Sequence, residues 1–229
     1  MNPLASRGPE QSGVPFRDRA DAGRALAREL KAKALKAPLQ RPVVVALARG
    51  GVLVGAEIAR SIVAPLVAMP VGKVGAPGQE ELAIGAVAPG GVTVLNNDVI
   101  SLLGLSEMEV EALVGRASAK VAAEWRAYRG GRQVPLASRA AIVVDDGLAT
   151  GATMRAALEA VRRQRPSRLV MAVAVAPPDA LAALAPMVDE YVCAVQARHM
   201  RAVGAWYEDF TQTTDEEVTE ALDELGLRA

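Results

Sequence analysis

Runs of apolar, often β-branched residues recur along this chain, and amphipathic stretches fill the intervals between them. Val43 to Leu47 (VVVAL), Pro65 to Pro70 (PLVAMP), Ile142 to Val144, Leu169 to Ala176 (LVMAVAVA) and EYVCAV, ending at Val195, read as strands. Continuous apolar strands of this kind are covered on both faces. Between them lie helical patterns. From Asp18 onward Ala22, Leu26 and Leu30 share one face, and Pro38 lies beyond the end. VLVGAEIARSI, from Val52, repeats Val54, Ile58 and Ile62. Ser106 and Glu109 form a capping box before a long helix carrying Val110, Leu113, Val114, Ala117, Val121 and Trp125, which Gly130-Gly131 ends. MRAALEAVRRQ, from Met154, is helical and stops at Pro166, and a short Ala/Leu helix follows Pro177-Pro178. Thr214 and Glu217 make a second capping box that opens a final helix.

Strand and helix alternate from residue 43, which predicts an α/β fold: a mainly parallel, doubly wound sheet with helices on both faces. Ligands of such sheets sit outside the carboxyl ends of the strands. At 229 residues the length suits one domain with an embellishment. Residues 1–15, rich in Pro, Gly and Ser, read as a flexible segment, and 16–229 as a single domain with its core at about 41–176. The segment 71–81 (VGKVGAPGQEE) is polar and Gly-rich between apolar neighbours, the composition of a mobile lid. LAIGAVAPGGVTVLN then suggests two short strands about Gly90-Gly91. Residues 196–229 form a C-terminal extension of different character.

Composition narrows the function classes. Lys+Arg and Asp+Glu both number 26, so formal neutrality argues against a general nucleic-acid binder. No apolar run is long enough for a signal peptide or a bilayer span, which points to a soluble cytoplasmic protein with no membrane partner. Cys193, in YVCAV, is the single cysteine and reads as a buried inert thiol. His199 is the only histidine and reads as a surface residue. Trp125 reads as core or interface. In AWYEDF, Trp206, Tyr207 and Phe210 could seal a core edge or stack on a base, with packing the preferred reading.

The richest chemistry lies in AAIVVDDGLATGATM, residues 140–154. A buried strand ends in two adjacent carboxylates, Asp145 and Asp146, for which the sequence offers no structural partner. Gly147, Leu148, Ala149, Thr150, Gly151, Ala152 and Thr153, mostly small, lead into a helix. Such a turn exposes N–H groups, and the helix dipole favours an anion there, so a phosphate fits. The carboxylates must instead face hydroxyls or a cation. Phosphate at one end and vicinal hydroxyls nearby describe a ribose 5-phosphate. The plain alternative, a βα turn with a capping Asp, needs one carboxylate and not two. A second small-residue turn, Ala48, Arg49, Gly50 and Gly51, follows VVVAL, and Gly50, Gly51 and Gly55 do not make the GxGxxG of dinucleotide sites. Both turns follow strand carboxyl ends and can converge on one molecule with two phosphate groups.

VVDDGLATGATM resembles the phosphoribosyl-diphosphate (PRPP) motif of the type I phosphoribosyltransferases, and the resemblance covers about Val43 to Ala176. It implies that family's fold, with a small variable hood or lid region, and transfer of the phosphoribosyl group from PRPP to a nitrogenous base with Mg²⁺. By resemblance, Asp145 and Asp146 hold the ribose hydroxyls and touch the metal indirectly, through those hydroxyls or water. Thr150, Gly151, Ala152 and Thr153 cradle the 5-phosphate, and Gly147, Leu148 and Ala149 belong to the same PRPP-binding loop. Ala48 to Gly51 wrap the pyrophosphate, with Ala48–Arg49 the candidate cis peptide. Lys73 reaches the pyrophosphate from the lid, and Glu80 or Glu81 is the candidate proton acceptor. Members acting on 6-oxopurines carry an Asp where this chain has Ala149, as adenine-type members do, which puts hypoxanthine and guanine in doubt. The resemblance also implies a homodimer. Two other classes stay open: a PRPP-binding regulator, against which the lack of a helix-turn-helix or basic appendage weighs, and a nucleotide-dependent oxidoreductase.

Overall fold

The computed structural model describes residues 15–32, 38–129 and 134–225. A five-stranded sheet, ordered β2-β1-β6-β7-β8, is parallel throughout. Its strands are β1 (Val43–Ala48), β2 (Leu66–Pro70), β6 (Ala140–Asp145), β7 (Arg168–Ala176) and β8 (Glu190–Gln196). The central strands are buried almost end to end, because helices cover both faces as their unbroken apolar runs require. On one face Val44, Ala46, Ile142 and Val144 meet α1 (Arg19–Ala32), α2 (Gly50–Ile62) and α7 (Asp215–Leu225). On the other, Val45, Val143 and Met171 meet α5 (Ala152–Arg163) and α6 (Pro178–Leu184). The α/β expectation is met. No helix among the described residues is long and apolar enough to cross a membrane.

The segment 71–81, expected to be a loop, is largely strand. It forms β3 (Gly72–Ala76) and the start of β4 (Gln79–Ala88), which with β5 (Val92–Leu95) make a three-stranded antiparallel sheet. Two glycines of this sheet, Gly72 and Gly85, serve close packing. A Cβ on Gly72 would lie 2.8 Å from Val121 Cγ2, and one on Gly85 would lie 2.4 Å from the Val94 carbonyl oxygen. Val74, Ala76 and Ile84 are buried beneath Val110 and Val121 of α4 (Glu107–Arg129). The β4–β5 turn falls at Gly90-Gly91 as expected. An unanticipated short helix, α3 (Asn97–Leu102), follows β5 and is capped by the Asn96 side chain. Both capping boxes form: Ser106 with Glu109, and Thr214 with Glu217. The expected flexible segment, Pro15 apart, and the Gly130-Gly131 stop lie outside the described residues.

Packing of α1 on α2 fixes where the first residue of α1, Arg19, stands. The contact is close because Gly23 has no side chain; a Cβ there would lie 2.5 Å from the Val54 carbonyl oxygen and 2.8 Å from Glu57 Cβ. Backbone on one side cannot give way. Gly23→Val is therefore expected to cost about 1–3 kcal/mol, as overpacking typically does. A urea titration with an unshifted midpoint would contradict this packing.

Candidate functional site

Strands β1 and β6 are parallel neighbours, with Val43 opposite Ala141 and Ala46 opposite Val144. Their carboxyl ends therefore lie side by side, and so do the turns that leave them. The Ala48–Arg49 peptide is cis, at the bond picked out by the family resemblance. Gly50 and Gly51 are the first turn of α2 rather than part of a loop. A Cβ on Gly50 would lie 2.2 Å from Asp146 Oδ2, and one on Gly51 would lie 2.9 Å from the Val144 carbonyl oxygen and 3.2 Å from Asp145 Oδ1. Only glycine lets the first turn of α2 reach the acidic pair.

The loop after β6 is anchored at Leu148, whose side chain is buried and whose N–H donates to the Val175 carbonyl at 2.9 Å. Ala149 and Thr150 are exposed, and Ala152 and Thr153 are half-buried. Gly151 takes φ +77°, a left-handed conformation suited to glycine, and is the N-cap of α5. With no capping side chain there, the first-turn N–H groups of α5 face outward at the positive end of its dipole.

The acidic pair has structural partners, contrary to the expectation from sequence. Asp146 N–H donates to Asp145 Oδ1 at 2.9 Å. Arg19 Nε donates to Asp146 Oδ2 at 2.8 Å, with side-chain exposures of only 9% and 14%. Arg19 Nη1 also donates to the Thr211 carbonyl at 2.7 Å, and its guanidinium lies 3.9 Å above the Phe210 ring centre. Tyr207 donates its hydroxyl proton to the Asp146 carbonyl at 2.6 Å. Burial pushes the Asp145 carboxyl well above its ordinary range, and the charge of Asp146 adds to the shift. Burial likewise raises the Tyr207 phenol, so it stays a donor at neutral pH. Trp206 and Tyr207 pack into the core, as preferred from sequence, and Tyr207 stacks obliquely between Phe16 and Phe210. His199 is exposed, Cys193 only half-buried, and Trp125 packs against the core on the α5 side.

Beside the cis peptide opens a cleft of about 910 Å³. Ala48 and Arg49 form one wall, β3 with the exposed Lys73 a second, and α4 a third, through Arg116 and Lys120. Asp215 reaches in from α7, 3.8 Å from Arg49 Nη1, and accepts a hydrogen bond from the Tyr128 hydroxyl at 2.6 Å. Lys120 pairs loosely with Glu124 at 3.9 Å. The structure thus brings Lys73 and Arg49 to one cleft, which residues 145–153 do not line, and the adjoining Gly50 and Gly51 pack on Asp146 and Asp145. Glu80 and Glu81 are in β4, and their side chains lie outside the described residues. Sequence reasoning missed Arg19 and Thr211, and the bond from Tyr207 to the Asp146 carbonyl, because these residues lie far from the motif along the chain. It also missed Arg116 and Lys120, whose i,i+4 spacing on α4 was a readable signal. As a donor set, Asp145 and Asp146 offer only hard carboxylate oxygens, which suit a hard divalent cation that keeps its water and binds substrate oxygens.

Residues 17–197 match the family model of the phosphoribosyl transferase domain, and the chain belongs to that family. In structure it is similar to TT1426 from Thermus thermophilus, with a TM-score of 0.74 and 40% identity over 92% of this chain and 98% of that one. In sequence it is similar to two Mycobacterium tuberculosis proteins, "Putative phosphoribosyl transferase Rv0571c" of strain H37Rv and "Putative phosphoribosyl transferase MT0597" of strain CDC 1551 / Oshkosh. Each is 42% identical over 209 residues, which is 91% of this chain and 46% of the relative. The chain spans about half the length of these curated relatives.

The buried Tyr207 hydroxyl serves the Asp146 carbonyl, so removing it strands an acceptor. Tyr207→Phe is expected to cost about 1–3 kcal/mol. A thermal denaturation curve that superimposes on the parent's would show that the bond contributes nothing.

Proposed function

We propose that the protein transfers the 5-phosphoribosyl group from PRPP to a nitrogenous base. The observation that carries this reading is the meeting of two small-residue turns at one acidic pair, with Gly50 and Gly51 packed directly on Asp146 and Asp145. A single ligand with a phosphate at each end and a diol between them fits that arrangement.

In this reading the outward N–H groups of Thr150, Gly151, Ala152 and Thr153 take the 5-phosphate, and Ala149 leaves the approach open. Asp145 and Asp146 accept hydrogen bonds from the ribose hydroxyls and fix the sugar. Arg49, Gly50 and Gly51 hold the pyrophosphate at the mouth of the cleft. Lys73, with Arg116 and Lys120 behind it, makes the field there positive, which lowers the barrier to departure of an anion. The bond from the anomeric carbon to pyrophosphate oxygen breaks, a bond from that carbon to the acceptor nitrogen forms, and the acceptor's proton passes to a base, for which Glu80 and Glu81 are the candidates. Anchoring the distant phosphate converts binding energy into orientation of the reacting carbon. Bound Mg²⁺, reached by Asp145 and Asp146 through hydroxyls or water, would neutralise pyrophosphate charge. In this reading the hairpin of β3 and β4, whose first strand lines the cleft, shields the reacting carbon from water.

Because Asp146 is paired with Arg19, neutralising it would also strand a buried cation. Asp145→Asn is the cleaner test. Leaving a buried hydrogen-bond partner unpaired costs about 1–3 kcal/mol, so titration calorimetry with PRPP and Mg²⁺ should show binding to the parent and a loss of roughly five- to a hundredfold in the variant. PRPP affinity unchanged by Asp145→Asn would remove the acidic pair from the ligand, and absence of binding to the parent would refute the reading.

A further inference from the structure

The PRPP-motif loop does not stand alone: the two ends of the domain are fastened to its second carboxylate. The residues before α1 run beside the segment after the 3₁₀ turn at Val203–Trp206. Phe16 N–H donates to the Trp206 carbonyl at 3.3 Å, Glu208 N–H to the Phe16 carbonyl at 2.9 Å, and Asp209 N–H to the Arg17 carbonyl at 2.8 Å. Asp209 then accepts from both the N–H and the hydroxyl of Thr211, at 2.9 and 2.6 Å, which fixes a tight turn. That turn presents the Thr211 carbonyl to Arg19. The guanidinium is therefore held on three sides: by the Thr211 carbonyl, the Phe210 ring and the Asp146 carboxylate. Tyr207, on the same segment, holds the main chain of Asp146. Both the carboxylate and the peptide of one motif residue are gripped by elements outside the motif.

The bond is one-sided, and that carries a consequence. Arg19 takes Oδ2 of Asp146, at 2.8 Å, and not Oδ1. Gly50 leaves room for the pair, since a Cβ there would strike both Asp146 Oδ2 and Arg19 Nε, the latter at 2.8 Å. Arg19 thus fixes the carboxylate's rotation through Oδ2 and leaves Oδ1 outside the ion pair.

We propose that Arg19 is a positioning residue for the reaction: held by Phe210 and Thr211 of the C-terminal extension, it orients Asp146 toward the sugar diol of the ligand. This rests on the PRPP reading above. It gives the C-terminal extension a role in ligand binding that the motif does not show, with Arg19 acting on the ligand only through Asp146.

A double-mutant cycle tests it, read as the dissociation constant for PRPP with Mg²⁺ by calorimetry on the full chain, with melting temperatures recorded alongside. Arg19→Gln is expected to weaken binding about tenfold, the size of a lost charged hydrogen bond, and Arg19→Lys to recover part of it. In the Asp146→Asn background, Arg19→Gln should add no further loss, since residues acting through one another are not additive. Replacing both partners with neutral groups also avoids a stranded charge, which keeps the double variant folded where a single one is weakened. A loss of equal size in both backgrounds would mean that Arg19 acts on the ligand by charge alone and would overturn the proposal. So would a fall in melting temperature with unchanged affinity. A parent that binds no PRPP takes down the functional reading and this proposal together, whereas additive losses in a parent that binds remove only the latter.

Discussion

A methyl group on Gly50 would sit 2.2 Å from a carboxylate oxygen of Asp146, and one on Gly51 would sit 2.9 Å from the backbone of β6. This close approach of the first turn of α2 to the end of β6 is the constraint on which the rest of the site depends. It follows from parallel pairing of adjacent strands, which brings two outgoing turns within reach of one small ligand. Any larger residue at either position would separate the turns. The loop after β6 would then no longer adjoin the turn after β1.

Charge is arranged around that contact at some cost to stability. Withdrawing the Arg19 and Asp146 charges from water carries a desolvation penalty that a buried ion pair only partly repays. An apolar pair of similar volume would hold α1 against the sheet as well or better. What such a pair could not do is present a carboxylate oxygen at a fixed angle. The same pair leaves Asp145 as the carboxyl whose charge burial most disfavours in the free protein. Two chemically identical neighbours in the sequence thus have different environments.

The parallel sheet was legible because its strands are continuous apolar runs, and the helices because their apolar positions recur at helical spacing. The loop at 147–153 was legible because a run of small residues between a buried strand and a helix has few other uses. The segment 71–81 was read as a loop rather than as strands for a physical reason. Glycine and exposed charge suggest looseness when counted along the chain, whereas Gly72 is small so that α4 can lie against β3, and Lys73 is the outward-facing alternate of a strand. Arg19 left no sequence signal at all. Its partner is 127 residues away, and one arginine at the start of an amphipathic helix looks like any solvated charge until folding brings Phe210 over it. The aromatic cluster in the C-terminal extension was recognised as packing, but what it packs around could be seen only in three dimensions.

The central claim is that two turns, one from β1 and one from β6, serve a single phosphorylated ligand. Backbone amide shifts followed by NMR as PRPP and Mg²⁺ are added to the labelled protein test it most directly. The expected result is that Arg49, Gly50 and Gly51 move together with Thr150, Gly151, Ala152 and Thr153 along one saturating curve. Shifts confined to one turn, or two curves with different midpoints, would contradict a shared site.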